Sequence, residues 1–233
     1  KRARIAAVAA AGLTLLAALG LGRAYLRQEA PEVRRILEIS LPPGHGGMPA
    51  ISPDGRRLVY TGPGDEGAQL WLRDRSQLQA TPIPGTDGSI TPAFSPDGQQ
   101  VVFGTTNNAA LKTVNVTGAP PVVIADSALG ADGVTWSADG FVYYDGLTGG
   151  GTTGLMRVRA TGGPREQVTT VDTAGGQVDH FWPQALPGGR GVLFTIQKRS
   201  AREGSEVAVW DSKTGTYHSL VQGLTARYAR AGY

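Results

Sequence analysis

Short apolar stretches alternate with turns rich in glycine and proline along most of the chain. Typical stretches are Leu-Val-Tyr at 58–60 and Val-Val-Phe at 101–103. β-Branched and aromatic residues favour strands, whereas glycine and proline between them favour tight turns. The pattern therefore predicts an all-β fold of many short strands over residues 36–233.

The apolar stretches belong to a repeat marked by a four-residue turn motif. Ser52-Pro53-Asp54-Gly55 recurs as Ser95-Pro96-Asp97-Gly98, then as Ser137-Ala138-Asp139-Gly140, and in degenerate form as Leu186-Pro187-Gly188-Gly189. Successive copies are 43, 42 and 49 residues apart. One strand precedes each turn and three follow it, and units of about 40–50 residues with four strands are typical of β-propeller blades. We therefore expect about four to five blades of an incomplete β-propeller in residues 36–233.

The repeated motif has a structural interpretation and a functional one. Proline presets φ for the first turn position, the Asp side chain caps the turn, and glycine adopts the positive φ that closes it. The alternative makes Asp54, Asp97 and Asp139 a carboxylate array for chemistry. Because the motif recurs at equivalent positions of each repeat, we favour the structural interpretation, in which these residues form turns. The residues assigned to structural turns are Ser52, Pro53, Asp54, Gly55, Ser95, Pro96, Asp97, Gly98, Ser137, Asp139, Gly140, Pro187, Gly188 and Gly189.

The N-terminal part of the chain has a different pattern. Residues 5–22 form a run of 18 residues without a charge. As a helix this run is about 27 Å long, close to the ~30 Å hydrocarbon core of a bilayer, and Arg23 can snorkel to extend it. We expect a juxtamembrane stub over 1–4, a transmembrane helix over 5–26 and a linker over 27–35. A cleaved signal peptide and a buried soluble helix remain alternatives.

The charges indicate an orientation and exclude one class of partner. Residues 1–38 hold seven basic and three acidic side chains, which leaves 15 basic and 16 acidic side chains in the rest. The basic cluster Lys1, Arg2 and Arg4 predicts a cytoplasmic N-terminus and a periplasmic or extracellular propeller by the positive-inside rule. Because the propeller has no net positive charge, nucleic acid is not an expected partner.

The sequence carries no recognisable catalytic, metal-binding or cofactor-binding motif. The chain has no cysteine, which excludes disulfides and thiolate chemistry. Residues 62–67 fit G-x-G-x-x-G, but they lie between two predicted strands and open no helix, so we interpret them as a loop. No nucleophile elbow or kinase motif is present. We expect no catalytic residues, metal or cofactor.

Three histidines remain as candidates for ligand binding. His45 and His218 stand alone and are interpreted as loop or edge residues. His180 follows Asp179, the one acid–imidazole pair, although adjacent strand residues point to opposite faces. His180 is thus the single candidate ligand-binding residue.

The Ser-Pro-Asp-Gly blades resemble the WD40-like repeats of TolB-type β-propellers. A longer pattern resembles the repeats that follow the membrane helix in bacterial membrane-anchored serine/threonine protein kinases. It comprises residues 80–88 with 94–98, the Gly162-Gly163-Pro164 turn, and the stretch from His180 to Gln184 that leads to Leu186-Pro187-Gly188-Gly189. The sequence departs from that pattern at Ala138 and Gly188.

This resemblance implies an extracytoplasmic sensor or interaction module, whose catalytic kinase domain would lie before Lys1. Its ligand would be an unknown protein, peptide or small molecule, and its second partner the membrane, through one helix. Family propellers usually close with more blades, so we expect the natural protein to be longer. The alternatives are the gating propeller of a serine peptidase-like enzyme and a free-standing periplasmic TolB-like scaffold.

Overall fold

A computed structural model describes residues 41–106, 109–126, 133–148, 151–199 and 204–228. The predicted stub, transmembrane helix and linker lie outside these residues, as does the beginning of the predicted blade region at 36–40. Among the residues that the structure describes, no helix is long and apolar enough to cross a membrane.

The described residues form sixteen strands and one short 3₁₀ turn, Pro187–Gly189. The strands are β1 (Gly46–Ile51), β2 (Arg57–Gly64), β3 (Gly67–Asp74), β4 (Thr81–Pro82), β5 (Ser89–Phe94), β6 (Gln100–Thr105), β7 (Leu111–Asn115), β8 (Val122–Ala125), β9 (Val134–Trp136), β10 (Phe141–Thr148), β11 (Gly151–Arg159), β12 (Glu166–Gln167), β13 (Gln177–Ala185), β14 (Gly191–Lys198), β15 (Glu206–Asp211) and β16 (Tyr217–Gln222). The prediction of an all-β fold is confirmed.

Each sequence repeat folds as one antiparallel sheet of four strands. The strand orders are β1-β2-β3-β4, β5-β6-β7-β8, β9-β10-β11-β12 and β13-β14-β15-β16, here called sheets 1 to 4. Neighbouring strands in each sheet are consecutive in the chain, as expected for blades built from hairpins. The first strands of successive sheets contact each other, β1 with β5, β5 with β9 and β9 with β13. These four strands therefore lie around a common axis.

Apolar side chains pack between neighbouring sheets rather than within one sheet. Val59 of sheet 1 packs with Phe103 of sheet 2, and Leu111 of sheet 2 belongs to a cluster with Val142 of sheet 3. The third cluster joins sheets 3 and 4 and contains Phe194. All five residues except Phe194, which is 1% exposed, are fully buried. Because burial of such side chains is the main driving force for folding, each sheet is stabilised mainly by its neighbours.

The repeated motif forms the turn between the first two strands of each sheet. Gly55 and Gly98 both have a φ of 69°, and their N–H groups donate to the carbonyls of Ser52 and Ser95 at 2.8 Å. A φ in this region suits glycine alone without strain. The motif thus closes the turn where each first strand leaves the axis.

The G-x-G-x-x-G stretch at 62–67 belongs to a β-hairpin. Strand β2 ends at Gly64 and strand β3 begins at Gly67, so two residues connect the strands. A phosphate loop of that motif requires a helix N-terminus behind the glycines. In this chain, strand β3 follows the glycines where that motif requires a helix.

Candidate functional site: an axial groove

The first strands of all four sheets line a groove of about 520 Å³. Residues 48–51, 91–94, 133–135 and 182–184 provide its walls, and Arg227 and Tyr228 lie beside them. Most of the lining residues are apolar, among them proline, alanine, phenylalanine and tryptophan, but polar atoms make up about half of the groove surface. Because each wall comes from a different repeat, the groove exists only when the four sheets are assembled.

Two of the wall strands carry strained backbone at the groove. Thr91 and Trp182 have φ values of 43° and 51°, in a region that residues other than glycine rarely adopt. The strand register shifts at both places, between Ile90 and Ala93 and between Phe181 and Gln184. Such bulges redirect side chains, and each strained residue costs about 1–3 kcal/mol that the surrounding fold must offset. Strain of this kind is concentrated at binding and catalytic sites.

Gly133 allows the tryptophan strand to approach its neighbour. A Cβ atom on Gly133 would lie 3.2 Å from the Cα atom of Trp182 and 3.3 Å from its Cδ1 atom. The Trp182 ring also contacts Phe181 edge-on, with ring centroids 4.6 Å apart. Close packing on both sides fixes the position of the Trp182 ring at the groove.

After β16 the chain returns to the axis and adds the remaining wall. The Thr225 N–H donates to Thr195 Oγ1 at 3.3 Å, and the Tyr228 N–H donates to Gln184 Oε1 at 3.0 Å. These bonds hold Arg227 at the groove. Arg227 is an exposed residue, yet desolvation by the surrounding protein lowers the pKa of its guanidinium. Arg227 is the one charged residue among the described residues that line the groove.

His180, the candidate from the sequence, lies outside the groove and is fully buried. Its Nδ1 atom is 2.8 Å from Thr169 Oγ1 and its Nε2 atom is 2.9 Å from Gln177 Oε1. The ring packs against Phe194 and Tyr217, with centroids 5.0 and 5.2 Å away. Burial lowers the pKa of His180 to about 4, which keeps the ring neutral near pH 7. In this arrangement both ring nitrogens bond to the chain itself.

The other two histidines also lie outside the groove. His45 contacts Tyr60 and Trp71 edge-on, with ring centroids 5.7 and 4.6 Å apart, whereas His218 is exposed on β16. Within the described parts of the chain, no group of three or more histidine, aspartate or glutamate residues could hold a metal ion.

The repeated aspartates bond to their own turns. Asp97 Oδ1 accepts from Ser95 Oγ at 2.6 Å and from the Gln99 N–H at 3.0 Å. The Ser95 hydroxyl, then the backbone N–H of Gln99, hold the pKa of Asp97 below its usual value. Asp139 differs because it also accepts from the Tyr143 hydroxyl, at 2.8 Å. Of these turn residues, the groove includes Pro53.

Sequence reasoning missed Trp182 and Arg227 as groove residues. The one available signal was proline at equivalent positions of the first strands. Pro49 and Pro92 are the fourth residues of β1 and β5, and Pro183 lies in β13. Proline lacks an N–H group and is excluded from central ladder positions of a sheet. Its recurrence in the first strands indicates irregular backbone there.

Comparison with solved structures identifies the fold. TolB from Acinetobacter baumannii matches with a TM-score of 0.60 and 19% identity over 75% of this chain and 43% of that one. A putative TolB from Agrobacterium tumefaciens matches with a TM-score of 0.62 and 16% identity, over 75% of this chain and 64% of that one. An oligogalacturonate lyase from Vibrio parahaemolyticus matches with a TM-score of 0.51 and 14% identity, over 74% and 52%.

These matches show the fold and leave the activity open. The chain spans between 43% and 64% of the length of these three structures. No protein-family model and no curated protein matches the sequence. The described sheets therefore have a TolB-like β-propeller fold, which unrelated functions can share.

Proposed function

We propose that this chain is a binding module and that its ligand occupies the axial groove. The observation that carries the proposal is the convergence of four first strands on one groove, with strained backbone at Thr91 and Trp182. Natural ligand sites have volumes of about 300–1,000 Å³ and combine apolar walls with a few polar groups. The groove, at about 520 Å³, lies within this range of volumes and is lined by both apolar side chains and polar groups.

The polar side chains of the groove come from different elements. Thr135 lies on β9, Gln184 on β13 and Arg227 in the segment after β16. The Thr135 Oγ1 atom accepts from the Ala185 N–H at 3.1 Å, so its position is fixed by sheet 4. Polar groups at fixed positions in an apolar cleft favour an oriented small ligand or peptide end.

The test fills the groove and measures ligand binding. Ile51 lines the groove and is 65% exposed, so Ile51→Trp adds bulk there without disturbing the core. The full chain in lipid nanodiscs is screened against small aromatic fragments by saturation-transfer NMR. We expect a set of fragments to bind the unmodified protein and at least tenfold weaker binding to Ile51→Trp.

The matched control is Leu78→Trp, because Leu78 is 92% exposed and lies outside the groove. This variant should bind the same fragments with unchanged affinity. Equal binding to all three proteins would place the fragments elsewhere and contradict the proposal, as would the absence of any binding fragment.

We further propose that the module is the extracytoplasmic sensor of a membrane-anchored serine/threonine protein kinase and catalyses no reaction itself. The support is the resemblance of the repeats, together with the uncharged run at 5–22 and the basic cluster at Lys1, Arg2 and Arg4. A kinase domain encoded upstream is expected; a Gly-x-Ser-x-Gly domain downstream would favour the peptidase alternative. A reporter fused after Tyr233 should be active only outside the cytoplasm, and cytoplasmic activity would contradict the orientation.

A further inference from the structure

We propose that the axial groove selects ligands that carry a carboxylate on an apolar body, and that the Arg227 guanidinium binds this carboxylate. The proposal rests on the function proposed above and specifies the chemical class of the ligand. It assigns Arg227 as the residue that determines specificity.

The charge of the groove favours an anion. Arg227 provides a positive charge, and no aspartate or glutamate is among the described residues that line the groove. Gln184 and Thr135 add an amide and a hydroxyl that can donate hydrogen bonds. A carboxylate accepts from such donors and from both arms of a guanidinium at once.

Arg227 differs in its contacts from arginines that stabilise the sheets. The guanidinium of Arg157 pairs with Glu166 at 2.6 Å, and those of Arg57 and Arg75 donate to the carbonyls of Gly98 and Gly55 at 3.1 and 2.8 Å. These contacts stabilise turns and sheet edges. The contact found for the Arg227 side chain is a long one of 3.4 Å, from Nη1 to the adjacent carbonyl of Ala226.

Neither of the two ion pairs found among the described residues, Arg157–Glu166 and Lys198–Glu206, involves Arg227. Desolvation of a cation without an anionic partner is unfavourable. The protein around Arg227 removes part of its hydration, which is the cause of its lowered pKa. A bound carboxylate would provide the missing charge.

The backbone that carries Arg227 is held on both sides of the residue. Thr225 bonds to Thr195 of β14, and Tyr228 bonds to the side chain of Gln184 of β13. These bonds fix the backbone of Arg227 at the groove that Trp182 also lines, before any ligand arrives. Preorganisation of this kind reduces the entropy lost on binding. The apolar body of the ligand would contact Trp182 while its carboxylate meets Arg227.

The test compares acids with their neutral amides. Indole-3-acetate and benzoate are titrated against indole-3-acetamide and benzamide, with the full chain in lipid nanodiscs, by calorimetry. We expect each acid to bind at least tenfold more tightly than its amide, the size expected for hydrogen bonds to a charged group. Arg227→Gln should abolish this preference, because it weakens acid binding at least tenfold more than amide binding.

Two further variants test geometry and specificity. Arg227→Lys keeps the charge but lacks the planar fork, so it should retain part of the preference. Arg199→Gln removes an exposed arginine outside the groove and should retain all of it. Ile51→Trp should weaken the binding of acids and of amides to the same extent.

The outcomes separate the two proposals. If acids and amides bind equally and Ile51→Trp weakens both, the groove is a ligand site and the carboxylate assignment is wrong. If the acid preference persists in Arg227→Gln, another cation is responsible and the role of Arg227 is refuted. If neither class binds, both proposals fail.

Discussion

At the scale of single residues, His180 links protonation to the stability of the fold. The neutral ring lies between Phe194 and Tyr217 with both nitrogens bonded, and burial lowers its pKa from 6.5 to about 4. Between these pH values the unfolded chain binds a proton that the folded chain does not. The contribution of the neutral His180 ring to the free energy of unfolding is therefore complete above pH 6.5. It is lost as the pH falls towards 4, by about 3 kcal/mol in total.

This pH dependence can be measured by denaturant unfolding at pH 7.5, 5.5 and 4.5. We expect His180→Asn to be less stable than the unmodified protein at pH 7.5 and to show a smaller loss on acidification. His218→Asn, at an exposed histidine, is the control for the loss of a histidine side chain elsewhere in the fold. An identical pH dependence in all three proteins would show that His180 titrates alike in the folded and unfolded chain.

At the scale of elements, the repeated turn depends on one backbone conformation. Gly98 has a φ of 69°, and an added Cβ would meet the nearest atom, Pro53 Cδ, at an ordinary 3.5 Å. Strain rather than a clash therefore decides the effect of substitution. Gly98→Val should reduce the free energy of unfolding by about 1–3 kcal/mol, measured by chemical denaturation.

Gly46→Val provides the control, because an added Cβ at Gly46 meets nothing within 4 Å and its φ is not positive. This variant should change stability by less than about 0.5 kcal/mol. Equal losses at both positions would show that general intolerance of valine, and not the turn conformation, is responsible.

The turns and strands could be predicted from sequence because their causes are local. Gly98 signals positive φ by its residue type, and Asp97 signals a capped turn two residues after a serine. The groove has no local cause. Thr91 and Trp182 adopt positive φ although their residue types disfavour it, so neighbouring strands impose that conformation. Arg227 reaches the groove only because the chain returns to the axis after β16.

At the scale of the whole molecule, the packing between sheets predicts uneven unfolding. Phe194 lies between sheets 3 and 4, and Phe103 lies between sheets 1 and 2. Phe194→Ala should cost about 3–5 kcal/mol and increase amide hydrogen exchange mainly in β9–β16. Phe103→Ala should cost as much and increase exchange mainly in β1–β8.

Each variant is the control for the other, with exchange followed by mass spectrometry of peptic fragments. In repeat proteins, coupling passes between neighbours, which is why the two patterns should differ. Uniform exchange across all sixteen strands in both variants would show that the sheets unfold as one cooperative unit.

The arrangement of the four sheets also has a mechanical consequence. Among the described residues, no backbone hydrogen bond joins two sheets; the junctions contain side-chain packing and single bonds such as Arg57 Nη1 to the Gly98 carbonyl. Under tension, the junctions should yield before the ladders inside each sheet. A ligand in the groove would contact the first strand of every sheet and would thereby link the four sheets to one another. Occupancy would then stiffen the propeller against forces that pull its blades apart.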